Sequence, residues 1–237
     1  MSFLTAEWRK LAFANYVIDP KVLEPYVPFG TELDLWQGKC YVSLVGFMFV
    51  NVRLLGVKIP FHVNFEEVNL RFYVRRLEEG EWKRGVVFIK EIVPKPAITF
   101  VANTIYQENY QTLKMRHRWE ETDATRLVEY QWKMQQDWFT FMVNADRATS
   151  AIEPGGETEF ITEHYWGYAH AGPKKSNEYE VTHPKWEQYQ VNDYQIDVDY
   201  GKVYGPDFAF LNQEKPSTVM LAEGSAITVE GKRKMAE

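Results

Sequence analysis

Phe65-Glu66-Glu67-Val68-Asn69-Leu70-Arg71-Phe72-Tyr73-Val74 alternates from Glu67 onward. Val68, Leu70, Phe72 and Val74 make one wholly apolar face, and Glu67, Asn69, Arg71 and Tyr73 make the other. Period two predicts a strand whose faces meet different surroundings. Bulk water accounts for a polar face, and so does a polar pocket; the alternation alone leaves both open.

Downstream, the turn at 78–81 leads into a second predicted strand over 82–93, rich in β-branched and aromatic residues and for most of its length apolar on both faces, with Lys90 and Glu91 interrupting it near its end. Pro94-Lys95-Pro96 then stops the strand and starts a helix, because proline suits a helix's first turn and cannot donate to a sheet ladder. Ala97, Ile98, Val101, Ala102, Ile105 and Tyr106 recur at helical spacing and predict one buried stripe.

Working toward the amino end, 31–36 and 39–50 read as a hairpin turning at Gln37-Gly38, with 53–60 as a loop. Residues 21–26 read as a short helix after Asp19-Pro20. Trp8, Leu11, Ala12 and Tyr16 share a side at helical spacing, which predicts a helix over 6–16. Toward the other end, 112–121 and 125–135 form a second predicted hairpin. Strands are expected over 159–168, 178–183, 186–200 and 226–229, one helical turn over 207–211, and a frayed charged tail over 231–237. No repeat, low-complexity tract or linker divides the chain, so 1–237 is expected to be a single domain. Many short strands around one clear helix predict a mainly β barrel or sandwich with short peripheral helices.

Composition narrows the function classes. The chain has 237 residues, a formal charge of −6, and 8 Trp, 14 Tyr and 15 Phe spread along its length. The acidic balance and the lack of a long basic run argue against nucleic acid as a partner. The single cysteine, Cys40, sits in an apolar run and cannot form a disulfide within the chain. Glu7, Arg9 and Lys10 interrupt the amino end before a signal-peptide core could form, and the apolar run 40–50 is too short to span a bilayer. A cytoplasmic protein without a membrane partner is expected, with homo-oligomerisation left open. The five histidines make no HExxH or HxH spacing, so no metal site is expected, and neither a GxGxxG dinucleotide loop nor a GxSxG elbow is present. No cofactor is expected.

The run 64–74, together with Arg84-Gly85-Val86-Val87-Phe88, Ala102-Asn103 ahead of Tyr106, Thr162-Glu163-His164-Tyr165-Trp166, and His183-Pro184 followed by Trp186, resembles the YqjF-like proteins. These are uncharacterised bacterial proteins of the acetoacetate-decarboxylase-like superfamily. The resemblance spans about 11–211 and implies a curved, antiparallel, barrel-like fold with an interior cavity and one central helix crossing its mouth. In the decarboxylases, a Lys-Lys pair just after this region supplies a Schiff-base lysine whose neighbour lowers its pKa. Here Tyr106-Gln107-Glu108-Asn109-Tyr110 occupies the matching segment without a lysine, and Lys174-Lys175 lies in a Gly-Pro turn. The resemblance therefore supports the cavity and undercuts the decarboxylase. It also places Glu67 where those enzymes keep an acidic cavity residue.

On that basis Arg71 is the candidate to bind a carboxylate, since its planar fork suits bidentate recognition, with Asn69 and Tyr73 beside it and Glu67 as acid or base. The competing reading is a solvent-facing strand or an internal Arg–Glu pair. Lys90 is the candidate nucleophile if desolvated, against a lysine that merely reaches solvent at a strand end. Asn103, Tyr106, Glu108 and Tyr110 are expected at the cavity mouth, and Glu163 and Tyr165 on a strand face near it. The expected function is binding of a small, anionic organic molecule. A lyase or isomerase acting on a keto acid or related carboxylate is the alternative, and a structural or assembly module the third.

Overall fold

Strand β4 (Phe65–Glu78) forms where the alternation predicts, and both of its faces are buried: Val68, Leu70 and Phe72 on one side, Glu67, Asn69 and Arg71 on the other. The computed structural model describes residues 2–236. Antiparallel neighbours β3 (Cys40–Leu54) and β5 (Glu81–Val93) flank β4. Beyond β3 lie β1 (Leu4–Ile18) and then β13 (Thr218–Val229). Beyond β5, β10 (Trp166–Gly172) joins in parallel through Trp166↔Gly85 and Gly167↔Val86, and β11 (Lys175–Thr182) pairs antiparallel with β10. Val181↔Val229 and Thr182↔Thr228 then join β11 to β13 and close a ring of strands. Short β2 (Glu32–Leu33) pairs with β4, and β6 (Tyr110–Thr112) runs parallel to β5.

The sheet continues from β13 through β12 (Glu187–Asp197), β9 (Asp137–Ala151), β8 (Thr125–Met134) and β7 (Lys114–Glu121). This extension packs on the outer face of the ring, where Tyr130, Trp132 and Phe141 meet Leu44, Leu70 and Phe72. A second core fills the inner face with Phe13, Tyr41, Val45, Phe47, Phe65 and Trp186. Two-faced burial explains why β3 and β4 lack an exposed polar stripe. Helices are short: α1 (Pro20–Leu23), α2 (Pro96–Val101), α3 (Glu157–Thr162) and α4 (Tyr200–Tyr204). Among the described residues no helix is long and apolar enough to cross a membrane. The mainly β architecture with short peripheral helices expected from the sequence is present.

Several local expectations change. Residues 6–16 belong to β1 and not to a helix; the strand's register against β3 shifts between Thr5 and Glu7 and between Arg9 and Ala12, and Lys10 takes φ 54°. Such bulges insert residues out of phase, so a strand acquires spacings that mimic a helix. The expected strand over 159–168 is α3 followed by an irregular link and the start of β10. The expected hairpin of 31–36 with 39–50 reduces to a bridge between Trp36 and Lys39, because β2 pairs with β4. The tail is ordered as β14 (Arg233–Ala236), paired with β11, while Glu237 lies outside the described residues.

Candidate functional site

Inside the ring lies a cavity of about 350 Å³, lined by residues of β1, β3, β4, β5, α2, β10 and β11 and by the links between them. That is the size of a small-molecule site. Its walls are largely aromatic, with Trp8, Phe47, Phe49, Phe65, Phe88 and Trp186 among them. The polar side chains are few and gathered. The alternation of β4 delivers Glu67, Asn69 and Arg71 to the cavity together, which turns the open choice between water and pocket into a pocket.

Glu67 meets two other carboxyls. Glu91 enters from β5, and Glu108 from the segment after α2. Pro96–Val101 continues as one turn of π-helix over Ala102–Tyr106, and Gln107 then takes left-handed φ 61°, reversing the chain ahead of Glu108. Asn103 fastens this reversal: its Oδ1 accepts from the Tyr110 backbone N–H at 2.7 Å and its Nδ2 donates to the Tyr110 carbonyl at 2.9 Å. The Tyr179 hydroxyl donates to Glu108 Oε1 at 2.8 Å. Gly167 makes room for that ring, since a Cβ there would lie 2.1 Å from Tyr179 Cζ. The Tyr110 hydroxyl donates to Glu67 Oε2 at 3.2 Å, and Asn69 Nδ2 donates to Glu67 Oε1 at 3.0 Å.

These carboxyls hold their protons unusually tightly. Burial pushes Glu67 up to about 7, with Asn69, Tyr110 and the Arg71 charge pulling the other way. Burial and then the Glu67 charge work against a hydrogen bond from Tyr179 and push Glu108 up to about 8. Glu91 is raised well above the usual carboxylate range, by burial first and then by the charges of Glu108 and Glu67. Like charges gathered in a dry space cannot all ionise. Arg71 is the one Lys or Arg lining the cavity among the described residues. Its guanidinium donates to the Ile161 carbonyl at 3.4 Å and rests over the Phe13 ring at 5.2 Å, while its Nε has no partner in the protein.

His62, His164 and His183 complete the lining. His164 Nε2 lies 3.2 Å from Asp34 Oδ2, and Arg84 Nε holds the same oxygen at 2.7 Å. Burial lowers the imidazole to about 4 against the pull of Asp34, so it is neutral. Burial opposes ionisation of Asp34, but the bonds from His164 and Arg84 outweigh it and hold that carboxyl below its ordinary range. His183 stacks on Trp186 with centroids 4.2 Å apart. Among the described residues no group of three or more His, Cys, Asp or Glu is arranged to hold a metal ion.

Of the residues singled out from the sequence, the cavity thus gathers Glu67, Asn69, Arg71, Tyr106, Glu108 and Tyr110. It does not gather Lys90, Tyr73, Asn103, Glu163 or Tyr165. Lys90 is turned to the outer layer, where its ammonium donates to the Val203 carbonyl. The cause is a bulge: Leu70 pairs with Lys90 but Arg71 with Phe88, leaving Ile89 as an extra residue. Phe88 faces in, Ile89 packs in the outer core, and Glu91 turns in again. Tyr73 lies in the inner core, its hydroxyl 2.8 Å from Ser43 Oγ. Glu163 borders a separate outer cleft and accepts a hydrogen bond from the Tyr165 hydroxyl, while the Tyr165 ring lies 4.8 Å from His183. The helical stripe faces the cavity and not a packed core: Ala97, Ile98, Val101, Ala102 and Tyr106 line it, and Ile105 is exposed. Glu91, His164 and Asp34 escaped sequence reasoning. The signal for Glu91 was an acidic residue inside an apolar strand; for the His164–Asp34 pair, 130 positions apart, there was none.

Solved structures share this architecture. Acetoacetate decarboxylase from Legionella pneumophila matches with a TM-score of 0.67 at 12% identity, over 98% of this chain and 87% of that one. An acetoacetate decarboxylase-like enzyme from Sphingomonas wittichii RW1 matches at 0.66 and 11%, over 100% and 94%. The enduracididine biosynthesis enzyme MppR, complexed with pyruvate, matches at 0.67 and 12%, over 99% and 91%. At such identities the likeness is one of fold. In sequence, the chain is 37% identical over 68 residues to the uncharacterized protein YqjF of Bacillus subtilis (strain 168), a match covering 28% of each chain. Residues 5–226 match the DUF2071 family, described as an uncharacterized conserved protein, and the chain belongs to that family.

Proposed function

We propose that the cavity binds a small organic carboxylate, with Arg71 taking the carboxylate group. The observation that carries this reading is a buried guanidinium with an unpartnered Nε, beside carboxyls that burial pushes toward their protonated forms. An arginine among three ionised glutamates would be neutralised by them. Here burial favours the protonated forms of Glu91 and Glu108, which leaves less negative charge to neutralise the guanidinium and lets it attract an anion. The aromatic walls suit the apolar remainder of such a molecule. Pyruvate in the similarly folded MppR is a ligand of this kind.

A second reading adds proton transfer, in a lyase or isomerase reaction on the same acid. Glu67, pushed up to about 7, is matched to give or take a proton at neutral pH. Schiff-base chemistry has no support, since no lysine lines the cavity among the described residues.

A thermal-shift screen with small carboxylates tests the binding. A ligand at about a hundred times its dissociation constant adds roughly 2.7 kcal/mol, which raises the melting point of a chain this long by roughly 5–10 °C. Arg71→Ala is expected to weaken binding at least about tenfold while the unliganded melting point falls little. Equal losses of binding and stability would make Arg71 a structural residue, and silence across the acids would remove the proposal.

A further inference from the structure

The buried polar atoms left without partners in the cavity are a partial imprint of what should occupy it. Trp8 Nε1, Asn69 Oδ1, Arg71 Nε, Glu91 Oε2 and His164 Nδ1 are all buried and unpaired, and all belong to residues of this one lining. Buried polar groups are ordinarily satisfied, so a cluster of orphans calls for a ligand or water to complete it. Trp8 and Arg71 can only donate.

His164 is the informative member. Asp34 is ionised and already receives the Arg84 N–H, so toward imidazole it is an acceptor only, and His164 Nε2 must carry the ring's proton. A neutral imidazole has one proton, which leaves Nδ1 as a bare acceptor. The ring has little freedom to exchange the two nitrogens: it is fully buried, with Tyr73 4.7 Å away on one side and Phe160 edge-on at 5.1 Å. The Asp34–His164 pair thus fixes an acceptor in the wall of a cavity that also contains a carboxylate-seeking arginine.

We infer that the cavity prefers a hydroxycarboxylic acid, its carboxylate on Arg71 and its hydroxyl donating to His164 Nδ1. This rests on the carboxylate reading above. A keto acid of the same skeleton brings a second acceptor to His164 and leaves Nδ1 unsatisfied; a plain acid brings nothing. A site made to hydrogen-bond a hydroxyl discriminates against the analogue lacking it, because its own buried group is then left unpaired. Asp34 does not touch the ligand and is a positioning residue.

The test uses two matched sets, mandelate with phenylglyoxylate and phenylacetate, and lactate with pyruvate and propionate, titrated calorimetrically into the intact protein. In at least one set the hydroxy acid is expected to bind about tenfold or more tighter than both partners. His164→Phe, which keeps a ring of similar size, should erase that advantage and leave the affinity for the plain acid within about threefold. Nitrogen NMR of His164 supplies a readout independent of any variant's folding. The unliganded ring should show protonated Nε2 and bare Nδ1, and the Nδ1 signal should move with the hydroxy acid and not with the plain one. Equal binding within each set, or a ring protonated on Nδ1, would overturn the hydroxyl preference and leave the carboxylate site standing. No binding by any member would remove both.

Discussion

Two clusters built around glutamates, one beside β11 and one around the cavity, are treated in opposite ways. On β11, Glu178 is fully buried among cations: Arg233 Nε at 2.5 Å, Arg76 at 3.0 Å and Lys83 at 3.5 Å. Around the cavity, Glu67, Glu91 and Glu108 meet tyrosines, an asparagine and one another, with Arg71 the one Lys or Arg among the described lining residues. The first arrangement is how a protein keeps a charge inside: every ion has its counter-ion. In the second, charge is avoided by retaining protons, and donors and acceptors are left open. Stability alone gives no reason to assemble the second group, which is why the functional reading is attached to it.

The largest expected effect comes from breaking the first group. Glu178→Leu takes the fully buried counter-ion from Arg76, Lys83 and Arg233, leaves them sharing Glu78, and should lower stability by about 2 kcal/mol in urea denaturation at pH 7. Glu91→Gln, equally buried but without a counter-ion, should stay within about 1 kcal/mol of the parent. Equal losses would erase the distinction between the two groups.

An intermediate effect is read from pH. Glu67 and Glu108 titrate near 7 and 8 in the folded chain, from an ordinary value of 4.5. Between those values the folded state holds protons that the unfolded state has released. Their stabilisation is therefore fully present below about 4.5 and is lost as pH rises through 7 and 8. His164, lowered from 6.5 to about 4, acts with opposite sign only below 6.5, and His183 is lowered in the same direction. From pH 6.5 to 8 the parent should thus lose stability with a slope of up to about 1.4 kcal/mol per pH unit for each proton. The Glu67→Gln/Glu108→Gln double variant should be flatter. An unchanged slope would mean that these carboxyls are already ionised.

The smallest effect belongs to Lys90, the candidate nucleophile of the sequence reading. Lys90→Met removes one hydrogen bond to the Val203 carbonyl on the outer layer. It should cost about 1 kcal/mol and leave carboxylate binding unchanged in the same calorimetric assay. A loss of binding would bring Lys90 back into the site.

What was legible in the sequence follows from where periodicity is intact. The ladder of β4 against β3 runs without a register shift, so its two faces can be assigned from residue names alone, and Glu67, Asn69 and Arg71 come out together. One bulge later the same rule fails: Ile89 is inserted, and Lys90 and Glu91 exchange the places that strict alternation gives them. Bulges likewise disguise β1 as a helix. Helix α3, with six residues, is too short for a 3.6-residue period to show against period two. The family resemblance supplied the cavity and the covering helix. His164 and Asp34 were out of reach because nothing local links a histidine after α3 to an aspartate after β2, and their meeting depends on β10 adding to β5.

The pairing of β1 with β13 has a consequence in time. Leu4 meets Val229, so β1 leaves a ribosome long before the partner it pairs with. At typical synthesis rates the more than two hundred residues between Leu4 and Thr218 take on the order of 10–40 s. Throughout that interval β1 can pair with β3 on one side, but its other edge is exposed and competent to recruit a stranger. Such distant contacts also fold slowly once available. Nascent-chain aggregation, and dependence on a holdase that shields strand edges, should accordingly centre on β1, far from the residues that decide what the finished cavity holds.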